Sequence, residues 1–512
     1  MVSIAMNNKM RIRYYLSLIT LPLFFIIHGL NENTGLIKTG IAFSLLSYYI
    51  ALTMLVGFVS ARFFKDIKKS YLFSFFVLSI FFFFGVFKDF AKKFEWLNII
   101  TRYVFLFPGL IVLIVIAGFY LKRATWTASK VVQFISVFLI INLCVETVLL
   151  VNHSLRGNKL QQGLGDEDHA LIRDIRLPDS SRRPIIFWIV FDEYTSSDNL
   201  KRNWNFNNPI DSILRKKGFF VADSATSNYN YTLHSLSSTL DMQYLKNLGN
   251  HSIIGTKDFL YKWQAIGNNN VVKLLNEKEY LIENFSIYDV EGSPSHVKPE
   301  YDLLIKLLID NQTLSGRVGM DIGQNLPTLL ATNKGMVDSI NKINRYAALA
   351  ASNTSLLNSC LAVAKAKRNS VDPCFFMFHF MYTHMPLIYN SDGSLDLISS
   401  SKSFAEKDKY VPSVQYANLI IDKLTDSIKS LYAGKDFVIL LQGDHGFKFG
   451  EQDPSFDRDS PKILYAVYCS DNDYSMWKRS ISSVNSFRIL FNKYFHTGFP
   501  LLPDHAYMLY TR

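Results

Sequence analysis

The chain has 512 residues, 49% apolar and 14% aromatic, which excludes a disordered or collagen-like polypeptide. Four cysteines are too few for a disulfide-built scaffold, and none form a Cys-x-x-Cys zinc-ribbon pair. The net charge of +11 is uneven: residues 1–151 hold 15 Lys+Arg against 5 Asp+Glu, whereas residues 152–512 are nearly neutral.

The basic third is also the apolar third. Five stretches in it, 14–30, 41–61, 70–87, 103–121 and 131–151, lack the charges that would keep them out of a bilayer core, which takes about 20 residues to cross. The fifth holds Glu146 near its end, where a carboxylate can reach the interface. The first follows Lys9, Arg11 and Arg13 like a signal peptide, but no small-residue cleavage site follows it, so it reads as a retained helix. Lys9, Arg11, Arg13, Arg62, Lys65, Lys68, Lys69, Lys122, Arg123 and Lys130 fall on one side of such a bundle. Lys38, Lys88, Lys92, Lys93 and Arg102 fall on the other. The positive-inside rule then puts the N-terminus in the cytoplasm and everything after residue 151 on the far side. On this pattern the basic residues set topology and meet lipid headgroups, and no nucleic-acid partner is expected.

Residues 152–183 are polar and glycine-containing and read as a juxtamembrane linker with a short helix at 170–175. From Pro184 short apolar runs alternate with amphipathic segments, the texture of an α/β fold with a largely parallel sheet. Buried strands are predicted at 185–191, 375–380, 436–441 and 463–469. Helices are predicted at 207–217, 232–245, 258–266, 270–278, 338–365 and 414–433. The expected organisation is a five-helix transmembrane domain (1–151), the linker (152–183) and one soluble domain (184–512). Cys360 and Cys374 are close enough in sequence to pair or to be buried free thiols; Cys144 and Cys469 read as packing residues.

Three predicted strands run directly into polar clusters: Asp192-Glu193-Tyr194, Tyr382-Thr383-His384-Met385-Pro386 and Gln442-Gly443-Asp444-His445-Gly446. Ligands of open α/β sheets bind outside the carboxyl ends of the strands, so three clusters on one edge form a pattern. An adjacent carboxylate and imidazole followed by glycine suit a divalent cation with mixed oxygen and nitrogen ligands. Thr232 opens an amphipathic run, where a hydroxyl is either a helix cap or a nucleophile beside free N–H groups that favour a phosphoryl anion; Ser235 and Thr226 are its rivals. His379, inside an apolar strand, reads as a satisfied core histidine.

The order strand–Asp192, Thr232 opening a helix, His384-x-Pro386, then strand–Asp444-His445-Gly446 resembles the alkaline phosphatase/sulfatase superfamily over roughly 184–512. With five N-terminal spans it is most similar to the membrane-anchored branch, the lipoteichoic acid synthases and lipid A phosphoethanolamine transferases. The resemblance implies an alkaline-phosphatase-like α/β domain in which Asp192, Thr232, Asp444 and His445 bind one divalent metal ion (Mn, Zn, Mg or Ca). It implies Thr232 as nucleophile and His384 as a contact to the substrate phosphate, with Glu193 as a supporting residue or a further ligand; His234, two residues past Thr232 on the same helix, is a second supporting candidate by its position. Its implied reaction passes a phospholipid-derived headgroup phosphate (phosphoethanolamine or glycerophosphate type) to an envelope glycan or lipid through a phosphothreonine. The enzyme would sit in a bacterial inner membrane with its catalytic domain on the periplasmic or extracellular side. A phosphodiesterase or sulfatase-type hydrolase with the same site, or an inactive envelope scaffold, is the alternative. Two departures matter: the Cys/Ser-x-Pro-x-Arg sulfatase signature is absent, and the segment 447–454 lacks the downstream histidine that would serve a second metal. The segment 483–504 resembles uncharacterised sulfatase-like membrane proteins of bacteria.

Overall fold

The computed structural model describes residues 2–33, 37, 39–94, 100–125, 128–168, 182–246, 248–297, 306, 308–321, 334–396 and 407–511. The chain forms two compact units, one of Met1–Gly165 with Pro299–Thr332, the other of Asp166–Lys298 with Asn333–Arg512.

The first unit is built on α1 (Val2–Glu32), α2 (Thr39–Phe63), α3 (Ile67–Phe82), α4 (Phe84–Lys92), α5 (Tyr103–Arg123) and α6 (Ser129–Asp168). Among the described residues, three helices are long and apolar enough to cross a membrane: Thr39–Phe63, Tyr103–Arg123 and Ser129–Asn152. The third predicted span is broken. Its α3 and α4 bend by 57°, and just past the break the Gly85 N–H donates to the Gln312 carbonyl at 2.8 Å. Counted as one span, that pair makes a fourth, and Leu16–Glu32 is a shorter apolar helix. The sequence expectation of five full spans is therefore not reproduced. Inside the unit Leu18, Phe25, Tyr49, Leu78 and Phe82 pack together. Outside, Phe43, Val104 and Phe134 are more than 70% exposed, a surface suited to lipid and costly in water. Cys144 is exposed, so it faces outward rather than packing.

Two features of chain organisation differ from the sequence expectation. Helix α6 continues through Asp168, into the segment read as linker; the helix expected at 170–175 lies outside the described residues. In addition, Pro299–Thr332 groups with the helices. Ile309 enters their core, Asp310 accepts a hydrogen bond from the Tyr49 hydroxyl at 2.7 Å, and Arg317 pairs with Asp89.

The second unit holds a six-stranded sheet of order β2-β7-β6-β1-β5-β4. The strands are β1 (Ile185–Phe191), β2 (Phe220–Val221), β4 (Leu281–Phe285), β5 (Cys374–Phe380), β6 (Phe437–Gly443) and β7 (Tyr465–Cys469). Neighbours within β4-β5-β1-β6 are parallel, while β7 runs antiparallel to β6 and β2 antiparallel to β7, giving a mixed sheet with a parallel centre. A two-stranded sheet pairs β3 (Ser252–Ile254) with β8 (Leu509–Thr511). Apolar side chains on both faces of β1, β5 and β6 build two cores. Phe187, Phe376, Phe378 and Ile439 meet Val414, Ile421 and Ile428 on one side. Trp188, Val190, Met377 and Leu440 meet Leu236, Leu240, Val272 and Phe487 on the other. Helices therefore cover both faces, as a buried parallel sheet requires. The edge strand β4 escapes sequence detection because Glu283 and Asn284 interrupt its apolar run. Cys360, Cys374 and Cys469 are buried free thiols.

Candidate active site

Parallel pairing sets Phe191 beside both Phe380 and Gly443. The residues that follow, Asp192 after β1, Tyr382–His384 after β5 and Asp444-His445 after β6, thus emerge at one rim. Glycine is required where the chain turns there. A Cβ at Gly443 would lie 2.4 Å from the Tyr194 carbonyl, and one at Gly446 2.4 Å from the Lys462 carbonyl, both inside van der Waals contact.

The loop after β1 is fixed tightly. Glu193 takes a left-handed backbone (φ 60°), which costs a non-glycine residue about 1–3 kcal/mol. Its N–H donates to Asp444 Oδ1 at 2.8 Å, and its own Oε1 accepts from the Lys448 N–H at 2.8 Å. The buried Tyr410 hydroxyl donates to the Glu193 carbonyl at 2.6 Å and accepts from the Thr195 N–H at 2.9 Å. Thr383 Oγ1 donates to the Asp192 carbonyl.

Asp192, Asp444 and His445 are all essentially excluded from solvent. The Nδ1 of His445 lies 2.8 Å from the Gly446 carbonyl; a carbonyl only accepts, so Nδ1 donates there and Nε2 is the nitrogen left facing the carboxylates. That Nε2 is 3.5 Å from Asp444 Oδ2 and 4.0 Å from Asp192 Oδ1. After α7 (Ser197–Trp204) and α8 (Ile210–Lys216), Thr232 is the first residue of α9 (Thr232–Asp241). Its Oγ1 sits 3.3 Å from His445 Nε2 and 3.5 Å from Asp192 Oδ2. The four residues named from sequence as metal ligands converge.

Their chemistry suits a divalent cation. Asp192 Oδ1, Asp444 Oδ2 and Glu193 Oε2 are buried without a hydrogen-bond partner, and a buried, unpaired carboxylate oxygen is strongly unfavourable. Burial drives the Asp192 carboxyl upward, but the charges of His384, His379 and His445, with the His379 hydrogen bond, outweigh it and hold the group below the usual carboxylate range. Glu193 is pushed up, burial prevailing over His445 and Lys448.

His379 departs from the sequence reading. It is buried, but it is no bystander of the core: its Nε2 lies 3.1 Å from Asp192 Oδ2. One ligand atom each of Asp192, His379 and Asp444 falls within 4.8 Å of the others. The cause is strand alternation. His379 pairs with Val190 and lies on the sheet face that carries Met377, Val190 and the α9 residues Leu236 and Leu240, the side to which Asp192 also turns. Because every other position of β5 is apolar, no hydrophobic alternation marks that face in the sequence.

His384 stands at the rim, about a third exposed, with Nε2 4.0 Å from Asp192 Oδ1. Burial would lower it, but Asp192 and Glu193 outweigh that and raise it, favouring the form with donors on both nitrogens. His234 is turned elsewhere. It is buried among the rings of Tyr229, Tyr231 and Phe259, neither nitrogen has a hydrogen-bond partner, and burial pushes it down to about 3. Ser235 donates to the Asp444 carbonyl at 2.5 Å, a supporting bond that takes its hydroxyl out of contention as nucleophile. The backbone of Thr226 is tied to Ile481 and Ser483.

No protein-family model matches the sequence, and no curated protein does. Among solved structures, the chain is similar to the C-terminal periplasmic domain of EcEptC from Escherichia coli in complex with Zn, at 11% identity and TM-score 0.35, covering 62% of this chain and 84% of that one. It is similar to the C-terminal periplasmic domain of phosphoethanolamine transferase EptC from Campylobacter jejuni, at 13% identity and TM-score 0.35, covering 61% and 90%. It is also similar to the integral membrane protein lipooligosaccharide phosphoethanolamine transferase A (EptA) from Neisseria meningitidis, at 10% identity and TM-score 0.35, covering 92% and 94%.

Proposed function

We propose that this chain is a membrane-anchored, metal-dependent phosphotransferase of the alkaline phosphatase/sulfatase superfamily. It would carry a phospholipid-derived headgroup phosphate to an envelope glycan or lipid. The observation that carries this reading is a hydroxyl at a helix N-terminus, Thr232 Oγ1, within 3.5 Å of Asp192 and His445, beside buried carboxylate oxygens that lack hydrogen-bond partners.

Asp192, Thr232, Asp444 and His445 would hold one divalent ion, with His379 in reach of the same centre. Two imidazoles among carboxylates favour Zn or Mn over Ca. When bound, the ion supplies Lewis acidity, lowering the pKa of the threonine hydroxyl and offsetting phosphate charge. The protein does the rest. Helix α9 aims its first N–H groups at an anion placed beside Thr232. His384, raised by Asp192 and Glu193, presents an N–H to a phosphate oxygen at the rim. Glu193 and Tyr410 keep the Asp192 loop rigid, which preserves reactive geometry.

In the proposed reaction Thr232 Oγ attacks phosphorus, its proton leaving to a neighbouring base. The bond from phosphorus to the diacylglycerol oxygen breaks, and that oxygen is protonated as the diacylglycerol departs. An acceptor hydroxyl then attacks the phosphothreonine, restoring Thr232. Tethering the site to a bilayer keeps lipid donors at high effective concentration, and no nucleotide-binding loop is needed. Multi-pass insertion in a bacterial inner membrane with an exported catalytic unit belongs to the same reading.

The test is mass spectrometry of the purified full chain after incubation with a phospholipid carrying a labelled headgroup. A headgroup-phosphate adduct on Thr232 is expected, with label then appearing on glycan or lipid acceptor. Label found only in water-soluble phosphate, with no acceptor labelled, overturns transfer in favour of hydrolysis. An unmodified, metal-free protein overturns both.

A further inference from the structure

Helix α4 has its amphipathic faces reversed for a protein in water. Its inward side carries Phe84, Gly85 and Lys88, all buried. The Lys88 ammonium lies 3.6 Å from the centre of the Tyr103 ring, Asp89 pairs with Arg317, and Gly85 bonds to Gln312. Its outward side carries Val86, Phe87 and Phe90, with Phe87 77% exposed. Phe94, just past the helix, and Val104 and Phe105 at the start of α5 are exposed as well. A buried lysine inside and exposed aromatic rings outside are the arrangement expected against lipid, not water.

The bend fixes the depth. The 16 residues of α3 rise about 24 Å at 1.5 Å each, against a hydrocarbon core of about 30 Å. With α3 along the bilayer normal, the nine residues of α4, turned by 57°, advance only about 7 Å further. Helix α4 therefore runs out across the edge of the hydrocarbon instead of through it. Lys92 and Lys93 at its end are exposed, where ammonium groups meet lipid phosphates.

We propose that α4 is an interfacial helix whose partner is the phospholipid layer itself. Phe87 and Phe90 enter the boundary between headgroups and acyl chains, Lys92 and Lys93 pair with phosphates, and residues 309–317 brace the helix from the protein side. This rests on the membrane reading of α2, α5 and α6 but not on the chemistry assigned to Thr232.

The experiment is depth measurement by nitroxide spin label on the full chain in phosphatidylethanolamine/phosphatidylglycerol nanodiscs. Labels go on Phe87→Cys and, separately, Phe90→Cys, each in a Cys144→Ser background. Ile116→Cys in α5, whose side chain is 59% exposed, and Val371→Cys in the other unit, 97% exposed, serve as references. Collisions with oxygen and with a water-soluble nickel complex report depth. The Phe87 and Phe90 labels are expected to favour oxygen over nickel at least severalfold more than the Val371 label, and less than the Ile116 label, at about 5–10 Å below the headgroups. A label at Phe87 as wet as Val371, with Ile116 dry, overturns the interfacial helix alone. A label as deep as Ile116 overturns it in favour of a continuous span. A wet Ile116 would bring down the membrane reading beneath it.

Discussion

The two units of this chain break the usual rule of burial in opposite ways. The helical unit leaves large apolar side chains uncovered, Phe43, Val104 and Phe134 among them. The α/β unit buries three carboxylate oxygens without a hydrogen-bond partner, Asp192 Oδ1, Glu193 Oε2 and Asp444 Oδ2. Each exception names what the protein alone does not supply. Uncovered apolar surface calls for lipid, and buried unsatisfied carboxylate calls for a cation.

That contrast is sharpest at the carboxylates. Asp192→Asn is expected to cost about 10²–10³-fold in transfer activity, the scale seen when a charge-stabilising group is removed. Bound metal should fall with it, and the metal-free protein should melt somewhat below wild type, because the ionised carboxylate that His384, His379 and His445 favour has gone. A large loss of folding in the metal-free variant would mean that Asp192 is structural. Thr232→Ala should abolish the phosphoryl adduct while lowering metal content less than Asp192→Asn does, read by mass and metal analysis on one sample.

A second comparison sets the two apolar populations against each other. Phe376, fully buried and stacked on Phe187 at 4.6 Å, is expected to cost about 3–5 kcal/mol on truncation to alanine. Truncating Phe43, exposed on α2, should change thermal stability in nanodiscs by less than about 0.5 kcal/mol. Equal costs would mean that Phe43 is covered by protein.

Removing the ion with a chelator should lower the melting temperature of the α/β unit by several degrees. Binding at a hundredfold excess over Kd stabilises by about 2.7 kcal/mol; the helical unit should be unmoved. His379→Ala is the finest probe, with metal affinity falling about 10–100-fold by titration calorimetry, against no change if His379 only packs.

Much of this was legible in the residues. The predicted strand 185–191 coincides with β1, and 375–380 falls one residue short of β5, because both are unbroken apolar runs with no competing helical period. The Asp444-His445-Gly446 turn could be read because its glycine and its two ligand types are contiguous. His379 could not, since a histidine among phenylalanines looks alike whichever face it takes. The bend between α3 and α4 and the docking of 309–317 were equally hidden, because the residues responsible lie more than 200 positions apart.

By itself the amino-acid order determined which segments are greasy, which apolar runs are the central strands, and which side chains follow them. Those are local properties, set by composition and by the periods of 2 and 3.6 residues. Only the tertiary structure decided which faces those side chains take and which of them meet. Strand register placed His379 beside Asp192 and left His234 in a cage of rings. A one-residue shift of register turns a strand side chain to the opposite face, and no local pattern in β5 records which face that is.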